Sequence, residues 1–176
     1  MAEKSYLVLT AIGADRPGLV NEISSVVLSA GANLEDSRMA ILGGEFALLM
    51  LVSGSAAAVA QFDRAVRDRG EHLGLHVHTK PTASPTDTRH FLPYQIRVTG
   101  VDRPGIVQRV AAVLAGRGVN VASLDSRLSF APLSGTPMFI LEAALQIPSQ
   151  LALSDLRREL AAVCDEENWD FTLEGG

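Results

Sequence analysis

One segment occurs twice in this chain, and the repetition constrains the fold more than any other feature. Residues 14–33, "ADRPGLVNEISSVVLSAGAN", align without a gap on residues 101–120, "VDRPGIVQRVAAVLAGRGVN", at a spacing of 87. Asp15, Arg16, Pro17, Gly18, Val20, Val26, Gly31 and Asn33 fall on Asp102, Arg103, Pro104, Gly105, Val107, Val113, Gly118 and Asn120. Most other pairs exchange one small or apolar residue for another. A repeat at this period means two copies of one supersecondary unit, each about half of the 176 residues. A unit that small buries only about 60–65% of its unfolded surface, so each is expected to lean on its twin or on a second chain.

Both copies read through to the same element order. In the first, Tyr6–Ile12 is a strand, and a helix from about Pro17 to Ala30 carries Leu19, Val20, Ile23, Val26 and Val27 as one apolar stripe. Leu34–Leu42 and Glu45–Ser53 form a hairpin over Gly43-Gly44, a dipeptide suited to the positive φ angles of a two-residue turn. Ser55 caps a helix running to about Arg69, with Val59, Phe62 and Val66 inward, and Leu73–Thr79 closes the unit. The second copy supplies a strand at Tyr94–Val101 and a helix with Ile106, Val107, Val110, Val113 and Leu114 inward. Its hairpin, Val119–Phe130 with Pro137–Ile147, has a longer loop, "APLSGT". A helix from about Ser154 to Glu166 and a strand at Trp169–Leu173 follow. Matching Asp36-Ser37-Arg38 to Asp125-Ser126-Arg127 places two extra residues near Ala122–Leu124.

The order strand, helix, strand, strand, helix, strand is the ferredoxin-like arrangement, an α+β unit with a four-stranded antiparallel sheet and helices on one face. The division expected is a first domain at 1–80, a linker at 81–93 and a second domain at 94–176. The linker reading rests on "KPTASPTDTRHFLP" (80–93), semi-extended because three prolines fix φ. Phe46–Val52 is apolar at every position, whereas an antiparallel strand open to water on one side alternates, as Tyr94–Thr99 does. The outer face of the first sheet, or its edge, is therefore expected to pack on the second domain or on another copy of the chain.

A βαββαβ unit with a D-R-P-G-[LI]-V turn and G-x-N before its second strand resembles an ACT domain, and the pattern covers both halves. The resemblance implies a small regulatory module that binds amino acids at interfaces between copies. Two such units, with "GTPMF" at Gly135–Phe139, are similar to the glycine cleavage system transcriptional repressor family. That likeness implies a cytoplasmic, non-enzymatic regulator, a homodimer, that acts through contact with a DNA-binding regulator rather than on DNA. The alternatives are a ligand-free interaction scaffold and a regulatory subunit of a metabolic enzyme.

The turn has its own physical case. Gly18 and Gly105 leave the backbone open to close approach, and Pro17 and Pro104 suit the first helical turn. Free N–H groups at a helix start, with the positive end of its dipole, hold a carboxylate. Asn33 offers both a donor and an acceptor to a zwitterion. The candidate ligand residues are Asp15, Gly18, Leu19 and Asn33, with Asp102, Gly105, Ile106 and Asn120. Helix capping by Asp15 and simple turn chemistry at Pro, Gly and Asn explain the same residues without a ligand. Glycine has five heavy atoms, so at roughly −1.5 kcal/mol per atom its binding is capped at micromolar. A pocket shared between two domains or two copies lets such a ligand drive closure.

Other chemistries find less support. His76 and His78 alternate on one strand without a third ligand at metal spacing, while His72 and His90 fall at a helix end and in the linker. No catalytic motif is present, Cys164 is a single packed cysteine, and Glu142 reads as outward-facing. No metal site, catalytic residue or cofactor is expected. A net charge of −5 and 5% aromatic residues argue against direct nucleic-acid binding, RNA-recognition motifs included. Neither a secretory pattern at Met1–Ala11 nor a membrane-length apolar run is seen, and the expected location is cytoplasmic.

Overall fold

The computed structural model describes residues 4–84 and 90–176. The chain divides into two units, with the boundary between Thr86 and Asp87. Unit 1 contains β1 (Ser5–Ala14), α1 (Leu19–Ser29), β2 (Asn33–Leu42), β3 (Glu45–Gly54), α2 (Ala56–Leu73) and β4 (His76–Thr82). Unit 2 contains β5 (Phe91–Val101), α3 (Ile106–Gly116), β6 (Asn120–Phe130), β7 (Pro137–Pro148), α4 (Leu153–Glu167) and β8 (Asp170–Gly175). Each forms an antiparallel sheet, in the orders β2-β3-β1-β4 and β6-β7-β5-β8. These are two ferredoxin-like units, as the repeat required.

Each helix buries most of the stripe that its spacing marked out, but Val20 of α1 and Val107 of α3, expected inward, stay exposed one residue past the helix start. Leu19, Ile23 and Val27 of α1 and Val59, Phe62 and Val66 of α2 lie over Leu7, Leu9, Phe46, Leu48, Met50 and Val52. In unit 2, Ile106, Val110, Leu114, Leu156 and Leu160 cover Ile96, Val98, Leu141, Ala143 and Leu145. Gly43 (φ 62°) and Gly44 (φ 85°) make the tight turn between β2 and β3. Ser55 caps α2 by accepting from the Ala58 N–H at 3.1 Å, whereas the N-cap of α4, Ala152, has no side chain able to do so.

Four expectations are corrected. The extra length of the second copy lies in the hairpin loop and not near Ala122–Leu124. Asp36 faces Leu51 as Ser123 faces Ala144, and both strands bulge at the same place, past Leu34 and past Val121. The spacing of 87 therefore continues through β6, and the Asp-Ser-Arg match is two residues out of structural register. Second, α2 does not stop near Arg69. It runs to Leu73, Gly74 (φ 72°) ends it, and β4 starts at His76. Third, the strands take both ends of the 81–93 segment, since β4 reaches Thr82 and β5 begins at Phe91; residues 85–89 lie outside the described residues. Fourth, Pro17 and Pro104 precede the helices, whose N-caps are Gly18 and Gly105.

The outer faces differ. Phe46, Leu48, Met50 and Val52 point to the helices, so the other half of the apolar run, Ala47, Leu49 and Leu51, lies on the outer face. In sheet 2 the matching strand carries Ile140, Glu142 and Ala144 outward, with Leu141, Ala143 and Leu145 inward.

Candidate functional site

β1 ends where the Asp15 N–H bonds the Gly44 carbonyl at 3.0 Å, and β5 ends where Asp102 bonds Pro137 at 3.0 Å. The chain then turns through a glycine in the positive-φ region, Gly18 at 98° and Gly105 at 103°. A Cβ at either glycine has open space, so the backbone angle and not crowding calls for glycine there. From this turn each helix starts at once. The first helical bonds are Glu22 N–H to Gly18 at 2.9 Å and Arg109 N–H to Gly105 at 2.9 Å. No side chain caps either helix. Asp15 therefore does not cap α1, nor Asp102 α3, and the amides at the helix starts have no acceptor one turn back.

In unit 1 these amides border an open cavity of about 670 Å³. Asp15, Arg16 and Gly18 form its floor, with Val20, Met39 and Ile41 as an apolar wall. Leu19 and Ile106 are buried in the cores, so their side chains are unavailable and only their backbones face the turn. The wall exists because the edge strand β2 overhangs α1. Met39 and Ile41 point to the helix side yet stay half exposed. The strand was legible in the sequence, but the overhang was not, because apolar residues on the helix side normally read as core.

Asn33 is not at this cavity. It begins β2 just beyond the C-terminus of α1, an eleven-residue helix that spans about 16 Å. Its amide donates to Glu35 Oε1 at 3.1 Å, and Asn120 donates to Gln146 Oε1 at 2.8 Å. Each unit thus brings together Asp, Gly and the following residue of the motif and leaves the Asn at the other end of its helix. Glu35, which no motif announced, sits in the β2 bulge and gathers Lys4, Ser53 and Asn33. Those hydrogen bonds, that from Lys4 foremost, hold its carboxyl down at about 2.

The remaining candidates fall elsewhere. His76 and His78 are exposed on the outer face of β4, and among the described residues no cluster of three metal-binding side chains forms. Cys164 is buried and its thiol is pushed up to about 11, mainly by that burial, away from thiolate chemistry. Glu142 faces outward between Arg97 (2.5 Å) and Arg127 (3.0 Å). Among the described residues no helix is long and apolar enough to cross a membrane.

Family comparison agrees with the fold of both units. An ACT domain model matches residues 5–80 and another matches 94–161. The chain is 32% identical to the glycine cleavage system transcriptional repressor of Escherichia coli (strain K12) over 168 residues, 96% of this chain and 88% of the relative. It belongs to that tandem ACT-domain family. Among solved structures, an unknown protein from Galdieria sulphuraria superposes with a TM-score of 0.80 at 30% identity over 99% of both chains. A protein provisionally described as a glycine cleavage system transcriptional repressor superposes with a TM-score of 0.75 at 29% identity over 98% of both. For an ACT pair of this family, the doubled uncapped helix start is the feature to explain.

Proposed function

We propose that this ACT-domain regulator is a non-enzymatic, cytoplasmic sensor of a small amino acid, working as a homodimer through contact with a DNA-binding regulator. The observation that carries the reading is the pair of helices beginning on a positive-φ glycine with no cap. A natural helix normally satisfies its first amides with Ser, Thr, Asp or Asn, and leaving two equivalent starts bare fits a carboxylate arriving from outside. Asp15 and Asp102 stand beside them, exposed, with carboxylates to meet the ammonium group of the same ligand.

Asn33 joins such a site only from another copy. Every residue of β2 is exposed, and the strand carries neither proline nor lysine to discourage pairing. Antiparallel pairing of two β2 strands centred near Arg38 brings the partner's Asn33 level with Leu42 and Gly43, beside the cavity of the first copy. The ligand then binds the joined state better than the separate one, which is what a switch requires.

Mixing two variants tests this. Val20→Asp fills the helix start of its own copy with a carboxylate, and Asn33→Ala removes the donor to the neighbouring copy. In calorimetry with the common amino acids, each variant alone is expected to lose the unit 1 site, and an equimolar mixture to regain part of it. Unchanged heat in both variants would remove the reading.

A further inference from the structure

We infer that the outer face of sheet 1 is a second self-association surface, on which another copy of this chain packs sheet against sheet. It is distinct from the β2 edge and from the amino-acid cavity, both of which belong to the helix side or rim of unit 1.

The two sheets show what this face has given up. At matching positions, sheet 2 presents Gln95, Arg97, Thr99 and Glu142, while sheet 1 presents Val8, Thr10, Ile12 and Leu49. Sheet 2 spends its outer charges on Glu142, held by Arg97 and Arg127. Sheet 1 leaves Ile12 50% and Leu49 47% exposed. Isolated exposed side chains need no explanation, but Val8, Ile12, Ala47, Leu49 and Leu51 are neighbours on paired strands.

The borders of the face identify the occupant. One cross-sheet row runs Asp36, Leu51, Val8, Lys80, with an acid on one edge strand and a base on the other. Turning a second sheet over about an axis along the strands lays this row on its own reverse. Asp36 then meets the partner's Lys80, and Leu51 meets the partner's Val8. In the next row Arg38 lies over the partner's His78, a flat ring on which a guanidinium stacks. A row that complements itself under a two-fold axis is what an isologous contact needs. Aligned sheets pack in this way, about 10 Å apart. Thr82, Ala83 and Ser84 line a pocket of this face together with Val8, Asp36, Leu49 and Leu51, and the row through Ala47 and Ile12 lies outside it.

Size sets the expected strength. Four strands and some seven residues of each give a footprint of roughly 19 by 23 Å, or about 900 Å² over two copies. That is at the low end of specific interfaces, so the association is reversible.

Sedimentation of the full chain over a range of concentrations tests the proposal. The double variant Thr10→Arg/Leu49→Glu transplants the ion pair that unit 2 carries natively at those positions, so the sheet is expected to fold, with unchanged circular dichroism. Its limiting mass is expected to be half that of the wild type. Asp36→Lys alone should weaken association about tenfold, and adding Lys80→Asp should restore it. A wild type and a transplanted variant of equal mass at all concentrations would overturn the inference. So would a charge reversal that the second reversal fails to rescue, which places the partner surface elsewhere.

Discussion

On the outer face of sheet 1, Thr10 pairs with Leu49; at the same positions of sheet 2, Arg97 pairs with Glu142. On the inner faces, by contrast, the copies keep the same stripes: Leu19, Ile23 and Val27 against Ile106, Val110 and Leu114. The duplicated sequence has kept its interior apolar and its helix starts alike while the solvent-facing sides diverged. The interior answers to close packing, where even one methylene is felt. The outer face answers only to what meets it, so a difference there reports a difference in partners.

Substitutions at matched positions sharpen that contrast, beginning with the shared scaffold. A Cβ on Gly100 would lie 2.2 Å from Trp169 Cδ1, and one on Gly13 would lie 2.7 Å from the Gly74 carbonyl oxygen. Gly100→Ala and Gly13→Ala are each expected to cost about 1–3 kcal/mol. Calorimetric unfolding checks this, and the unit carrying the change should melt earlier. If either glycine accepts alanine freely, the scaffold is not shared at that strand.

The helix caps give a smaller effect of opposite sign in the two units. Ser55→Ala removes the cap of α2 and should cost about 1 kcal/mol, while Ala152→Ser supplies α4 with one and should gain up to about that much. Chemical denaturation resolves both.

The smallest effect concerns acid. Glu35 ionises near 2 in the folded unit against an ordinary 4.5, so its support is complete above pH 4.5 and is lost as pH falls toward 2. The matching bulge residue of β6 is Ala122. Glu35→Ala should therefore flatten the acid limb of unit 1 stability between pH 4.5 and 2, and leave unit 2 unaltered.

Much of this was legible before the structure. The stripe of α1 and the Gly43-Gly44 turn follow from period and φ alone, and the repeat supplied the second unit. Register was not legible. A shift of two residues keeps every side chain on its face, so Asp125 matched Asp36 in sequence while occupying the place of Arg38. The end of α2 is hidden in the sequence because "HLGLHVH" alternates like a strand, and only Gly74 at φ 72° marks the break. The candidate site was half legible. Asp15 and Gly18 are close in the chain and stay together, but Asn33 is tied to them only by the motif and its hydrogen-bonding chemistry, with the length of a helix between.

The central claim is that two bare helix starts receive the carboxylate of a small amino acid. Amide chemical shifts of the full chain, followed by nuclear magnetic resonance while common amino acids are titrated in, test it most directly. For one of them, the account predicts saturable shifts of the Gly18, Leu19 and Val20 amides, with Gly105, Ile106 and Val107 moving likewise. If every amino acid leaves these six amides unmoved, or the shifts gather on the outer face of either sheet, the account is contradicted.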